Sequence, residues 1–223
     1  MTTVVLADDQ DLVRSGLASV LRVRGVDVVG EAADGAEAVR VVRRTRPDVV
    51  LMDIRMPVLD GIGATRQIVH EALGTQVLVV TTYDLDSYVY EALRAGASGF
   101  LLKATTPDRL VEGIETVARG ESLLAPSLTR RLIEAHVTRP APVAGTPAVL
   151  APLTGRELDV VRLVAAGRTN AEIAATLVVS QATVKTHVNR IFAKLGVESR
   201  VQLVVLSYEC GFVLPGAVTP AGP

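Results

Sequence analysis

Val49-Val50-Leu51-Met52-Asp53-Ile54-Arg55-Met56-Pro57 is the stretch whose reading decides the fold. Four apolar residues in a row, rich in valine and leucine, read as a strand buried on both faces, and the run stops at a carboxylate. The same design recurs along the front of the chain. Val4–Ala7 runs into Asp8 and Asp9, Val77–Val80 into Thr81 and Gly99–Leu102 into Lys103, with Val26–Val29 as a further buried strand. Between them lie segments with helical spacing, at about 11–24, 34–45, 60–72, 85–95 and 107–119. Pro47 marks an element boundary and Pro107 a helix start. Five strand–helix pairs in about 120 residues predict an α/β domain with a parallel sheet covered on both faces.

In open sheets of this kind, ligands bind at the carboxyl ends of the strands, at the point where the strand order reverses. A flavodoxin-like, doubly wound order makes strands 1 and 3 neighbours and so brings Asp8, Asp9 and Asp53 together. Thr81 and Lys103 end strands on the same edge. A single aspartate there reads equally well as a helix N-cap; five polar side chains converging on one edge do not. Three carboxylates in one cleft repel unless a hard divalent cation bridges them, and Mg²⁺ takes oxygen ligands of this type. One carboxylate can then act as a nucleophile toward phosphorus. Lys103 would pair with one phosphoryl oxygen and Thr81 donate to another.

Asp8-Asp9, Met52 to Pro57, Thr81-Thr82-Tyr83-Asp84 and Gly99-Phe100-Leu101-Leu102-Lys103 together resemble a bacterial response-regulator receiver domain over about residues 2–120. The resemblance implies that Asp53 accepts a phosphoryl group. It implies that Asp8, Asp9, Asp53 and the backbone carbonyl of Arg55 hold Mg²⁺, and that Thr81 and Lys103 sense the phosphoryl oxygens. Phe100 matches the aromatic switch position, Tyr or Phe in that family; taken alone it reads as core packing. Pro57 and Gly61 match the loop after the phosphorylation site. Haloacid-dehalogenase-type phosphatases also place a nucleophilic Asp after a strand, but need a second Asp two residues on, where this chain has Arg55. A Walker-type loop ending in Gly-Lys-Ser/Thr is absent from the sequence.

Residues 121–137 continue with one more expected helix, including Ser127 to Val137. Thr138 to Pro152, rich in Pro, Ala and Gly, has a linker composition. Beyond Leu153 the pattern turns wholly helical, at about 154–166, 170–177, 180–195 and 199–210, before a Pro/Gly-rich tail expected to fray. At about 100° per residue, Val184, Val188, Ile191 and Leu195 share one stripe of the 180–195 helix. Ala182, Lys185, Thr186, Asn189, Arg190 and Ala193 lie opposite. Ser180 is placed to cap this helix and Asn170 the one before it, with Val178-Val179-Ser180 between them. Two short helices joined by so short a turn describe a helix-turn-helix, whose second helix reads the major groove; a plain bundle with a solvated outer face fits the periodicity too.

Leu153-Thr154-Gly155-Arg156-Glu157, Asn170 to Ala174 and Thr183-Val184-Lys185-Thr186-His187-Val188, followed by Lys194-Leu195 and Ser199-Arg200, resemble the LuxR-type helix-turn-helix over about residues 152–212. By position, the resemblance makes Lys185, Thr186 and Asn189 candidates for base contacts, Lys185 to guanine and Asn189 to adenine. Thr183, Arg190, Lys194 and Arg200 become candidate phosphate contacts. Many relatives carry Lys or Arg where this chain has Asn189. His187 reads as a flanking or partly packed residue ahead of a base contact, Cys210 as a small apolar one, and Glu157 as a buried structural acid or a first-turn dipole partner.

Composition agrees once it is divided. The 223 residues are 49% apolar and 21% charged, those of a globular protein rather than a disordered one. One cysteine excludes an internal disulfide, and with three histidines it makes a Cys/His zinc site an unpromising reading. The net charge of −1 argues against nucleic-acid binding only as an average. Residues 1–125 carry 13 basic and 18 acidic groups, residues 126–151 carry 3 and 1, and residues 152–223 carry 7 and 5. No signal peptide or membrane helix is read, so a cytoplasmic protein is expected.

Taken together, the resemblances imply a two-domain response regulator of the NarL/FixJ type: a receiver (1–122), a linker helix and Pro/Ala-rich linker (123–151), a small all-α helix-turn-helix domain (152–212) and a tail (213–223). A sensor histidine kinase or small phosphodonor would phosphorylate Asp53 with Mg²⁺, and a homodimer would then bind double-stranded promoter DNA. The rival readings are a phosphorylation-independent regulator of the same fold, a phosphatase or signalling module that binds no DNA, and a receptor for a small molecule.

Overall fold

β1 (Thr3–Ala7), β2 (Asp27–Ala32), β3 (Val49–Met52), β4 (Gln76–Thr81) and β5 (Gly99–Leu102) form one parallel sheet in the order β2-β1-β3-β4-β5. The computed structural model describes residues 1–71, 73–82, 86–121, 123 and 146–213. Helices α1 (Asp11–Val23), α2 (Gly35–Thr45), α3 (Gly61–His70), α4 (Asp86–Arg94) and α5 (Pro107–Ala118) make the crossovers that parallel pairing requires. β3 sits between β1 and β4 and is buried along its whole length. On one face Val4, Leu6, Val49, Leu51, Leu78 and Val80 pack with Ala18 and Leu21 of α1 and Leu110, Ile114 and Val117 of α5. The order puts β1 beside β3 and pairs Ala7 with Met52, so the residues that follow both strands emerge side by side.

Three strands run longer than the apolar runs predicted, β1 by Thr3 alone. β2 continues through Gly30 and Glu31 to Ala32, pairing past a register shift between Val4 and Val5. A side chain at Gly30 would meet Val41 Cγ1 at 2.5 Å, so a glycine interrupts the apolar pattern without ending the strand. β4 includes Thr81 as its last residue.

The helix starts follow capping chemistry. Asp34 accepts from the Glu37 amide and Asp60 from the Gly63 amide, so these aspartates cap α2 and α3. Gly61 has a steric role: a Cβ there would lie 1.9 Å from the Asp53 carbonyl oxygen, and its amide donates to the Ile54 carbonyl at 2.8 Å.

The chain divides into two compact units, Met1–Leu124 and Ala125–Pro223. In the second, α6 (Gly155–Ala165), α7 (Asn170–Leu177), α8 (Gln181–Leu195) and α9 (Arg200–Glu209) pack around Val160, Val161, Val164, Ile173, Val184, Ile191 and Leu203. A single 3-10 turn, Ala148–Leu150, precedes them, with Leu150 fully buried. Asn170 does not cap α7. Thr169 does, in a reciprocal box with Glu172, because Thr-x-x-Glu satisfies two backbone donors where Asn170 would satisfy one. The expected helix at 127–137, most of the linker, Tyr83, Asp84 and the tail beyond Val213 lie outside the described residues.

Candidate functional site

The pocket is built by backbone pairing that runs just past the strand ends. Asp8 donates its amide to the Ala32 carbonyl (3.1 Å), Asp53 to Ala7 (2.8 Å) and Lys103 to Thr81 (2.9 Å). Those bonds fix where the side chains of Asp8, Asp53 and Lys103 begin. Asp8 and Asp53 are buried, Asp9 is exposed, and oxygens of all three lie within 4.8 Å of one another. The Lys103 ammonium stands between the two buried carboxylates, 2.6 Å from Asp8 Oδ2 and 2.7 Å from Asp53 Oδ2. The other oxygens are held by backbone: Asp53 Oδ1 accepts from the Ile54 amide (2.7 Å) and Asp8 Oδ1 from the Gln10 amide (3.0 Å). Burial pushes the Lys103 pKa down, but the hydrogen bonds its ammonium donates to the Asp53 and Asp8 carboxylates outweigh that and hold it above the ordinary lysine value.

Three carboxylates against one ammonium leave two negative charges uncompensated, which suits a divalent cation with oxygen ligands. Thr81 is fully buried at the end of β4, and Phe100 is half-buried on β5, paired with Val79. Beside Asp9 opens a cleft of about 450 Å³ whose walls include Ile54, Arg55, Met56, Pro57 and Tyr88. Arg55 turns its guanidinium to the Tyr88 hydroxyl (3.0 Å) and lies 5.2 Å over that ring. Sequence reasoning missed Tyr88. It also missed Arg14, which donates to the Asp8 carbonyl oxygen (2.6 Å) and pairs with Asp11 and Glu31. The Asp11–Arg14 spacing was a visible signal; nothing in the sequence joins Arg55 to Tyr88.

The second unit carries the other set of candidates on α8. Val184, Val188 and Ile191 are buried, and Thr183, Lys185, Thr186, Asn189 and Arg190 are exposed. Ser180 caps the helix by accepting from the Thr183 amide (3.0 Å) and also bonds the Thr183 hydroxyl (2.8 Å). The α7–α8 turn passes through Val178 in the left-handed region (φ 54°), a conformation that a β-branched residue seldom adopts. Among the described residues, Lys185 and Arg190 have no ion-pair partner. Two other candidates are engaged within the domain. Lys194 lies 2.7 Å from Glu157 Oε2. Arg200 donates to Asn170 Oδ1 (3.0 Å) and to the Arg168 carbonyl. Glu157 is buried and completes the capping box of Thr154. Burial raises its pKa, but donors from Lys194 and Thr154 prevail and bring it down to about 2.

Residues 4–115 match the response regulator receiver domain, and residues 151–207 match the bacterial regulatory proteins of the luxR family. The chain belongs to the LuxR-type response regulators. It is 40% identical over 211 residues to the transcriptional regulatory protein YxjL of Bacillus subtilis, covering 94% of this chain and 96% of that one. The receiver domain of the response regulator NarL from Mycobacterium tuberculosis is 40% identical with a TM-score of 0.53, covering 54% of this chain and 98% of that one. A structure of two RcsB dimers bound to two parallel DNAs is 26% identical with a TM-score of 0.52, covering 93% of this chain and 98% of that one. The acidic pocket is therefore that of a receiver domain, and α7 and α8 are those of a LuxR-type DNA-binding domain. No described helix is long and apolar enough to cross a membrane.

Proposed function

We propose that this response regulator accepts a phosphoryl group on Asp53 from a sensor histidine kinase and, once phosphorylated, pairs with a second copy to bind double-stranded promoter DNA. The single observation that carries the reading is the Lys103 ammonium bridging Asp8 and Asp53, with Asp9 within reach at the same sheet edge. Asp53 Oδ2 attacks phosphorus as the bond to the kinase's histidine nitrogen breaks. Lys103 is placed to follow a phosphoryl oxygen as it arrives on Asp53, and Thr81 to donate to another. Asp8, Asp9, Asp53 and the Arg55 carbonyl would hold Mg²⁺, which when bound neutralises charge on the equatorial oxygens of the transferring group. Phosphorylation biases a pre-existing equilibrium, with Thr81, Lys103 and Phe100 as the switch.

On the DNA, Lys185, Thr186 and Asn189 face the bases, while Thr183 and Arg190, joined in part by Lys194 and Arg200, face phosphates. A rear region with a surplus of only two positive charges binds weakly as one copy, and pairing doubles its phosphate contacts. RcsB, seen as dimers on DNA, supports that assembly. The layout that fits is a receiver at 1–122, a connector at 123–151 and a DNA-binding domain at 152–212, working in the cytoplasm. The sole catalysis proposed is the protein's own Mg²⁺-dependent phosphorylation and dephosphorylation. Incubation with acetyl phosphate and Mg²⁺ followed by intact-mass measurement tests the phosphoacceptor. Wild type should gain one phosphoryl mass and Asp53→Ala none; equal gain in both would refute Asp53.

A further inference from the structure

We infer that His187 contacts a DNA phosphate through a neutral Nε2–H, an uncharged donor set among charged ones; the inference rests on the DNA-binding reading above. At about 100° per residue, His187 falls on the flank of α8 that carries Thr183, Arg190 and Lys194. That flank lies between the buried stripe of Val184, Val188 and Ile191 and the outward face of Lys185, Thr186 and Asn189. The ring is half-buried. Its Nδ1 is enclosed and, among the described residues, is the one buried side-chain polar atom without a hydrogen-bond partner. Nε2 has no partner there either, yet is not enclosed, so it opens to solvent on the flank.

The burial of Nδ1 decides where the proton sits. A neutral imidazole has one donor nitrogen and one acceptor nitrogen. A proton on Nδ1 would be an orphaned buried N–H, rarer in folded proteins than an under-used acceptor. The proton therefore belongs on Nε2, an assignment made from the hydrogen-bonding environment. An outward N–H beside Thr183 and Arg190 faces the region where a duplex presents phosphate oxygens, whereas the base edges lie toward Lys185 and Asn189. Such a contact positions the helix without reading sequence. Because the donor is neutral, it releases no counterion and leaves the salt dependence of binding unchanged.

The test uses the full-length phosphorylated protein and a duplex enriched by wild type from a randomised pool, with affinity measured across a salt series. His187→Ala should weaken binding about tenfold, the scale of a hydrogen bond to a charged group, at an unchanged salt slope. His187→Gln, whose amide N–H reaches the Nε2 position, should restore most of the loss; His187→Asn, which mimics Nδ1, should not. Unchanged affinity in His187→Ala, a slope shallower by about 1, or rescue by Asn in place of Gln would each overturn the inference. A wild type that enriches no duplex would overturn the DNA-binding reading itself, and with it this inference, before any variant is compared. Ring-nitrogen NMR of the free wild-type protein reads the proton directly: on Nε2 it supports the inference, on Nδ1 it refutes it.

Discussion

The acidic pocket and the outer face of α8 handle charge in opposite ways. In the pocket, two buried carboxylates close on one lysine at 2.6 and 2.7 Å, and their remaining oxygens rest on backbone amides. On α8, Lys185 and Arg190 stand in solvent, while Lys194 is drawn back onto buried Glu157. The first arrangement is pre-assembled and carries a surplus of negative charge, which suits a small divalent cation. The second is an open set of donors that gains its energy only when a polyanion arrives. One chain thus separates a compact, internally paired charge cluster from an extended face of open donors.

Removing Lys103 should break this contrast most severely. Lys103→Met leaves Asp8 and Asp53 buried against each other without a counter-charge, and loss of one partner from a buried pair costs roughly 3–5 kcal/mol. Thermal melting should show the receiver unit destabilised, with Mg²⁺ restoring more stability to the variant than to wild type. A melt unchanged without Mg²⁺ would mean that the clamp does not hold the pocket.

The bridge between Glu157 and Lys194 comes next. Glu157→Ala removes both a capping partner and the anchor of Lys194, at about 2 kcal/mol once the partial exposure of Lys194 is allowed for. The effect should appear in the melt of the second unit. The acid response sharpens the point. Glu157 lies at about 2 in the folded protein against an ordinary 4.5. Its contribution is complete above pH 4.5 and is lost as pH falls toward 2. Glu157→Gln should therefore flatten stability across that window, and an unaltered acid profile would contradict the assignment.

The smallest effects separate open from engaged cations on α8. Lys185→Ala should lower duplex affinity about tenfold and relax the preference at one base pair. Lys194→Ala should alter the melt of the second unit more than the salt slope of binding, because that ammonium is already paired. Equal salt slopes lost in both variants would show that Lys194 serves DNA as Lys185 and Arg190 do.

Much of the pocket was legible because it hangs on strand ends. An apolar run of four or five residues followed by Asp, Thr or Lys fixes the position of the polar residue along the strand, and parallel order fixes its neighbours. The face of α8 was legible for a similar reason, since Val184, Val188 and Ile191 set the helix phase. What escaped depends on contacts between elements. Arg55 with Tyr88, Arg200 with Asn170 and Lys194 with Glu157 join positions 33, 30 and 37 residues apart, and no periodicity links them. Val58 and Val178 escaped because they run against propensity, both being β-branched residues at positive φ in turns beside the two sites. Thr169 is readable as a cap from its Thr-x-x-Glu pattern, which marks a helix start more fully than Asn170 does.

The central claim is that the state of the pocket governs the binding face. It is tested by measuring the affinity of one protein preparation for its enriched duplex at increasing fractions of Asp53 phosphorylation. Affinity should rise with the phosphorylated fraction and with a shift from monomer to dimer, and Asp53→Ala should stay at the resting value. Full phosphorylation with unchanged affinity and assembly would contradict the account.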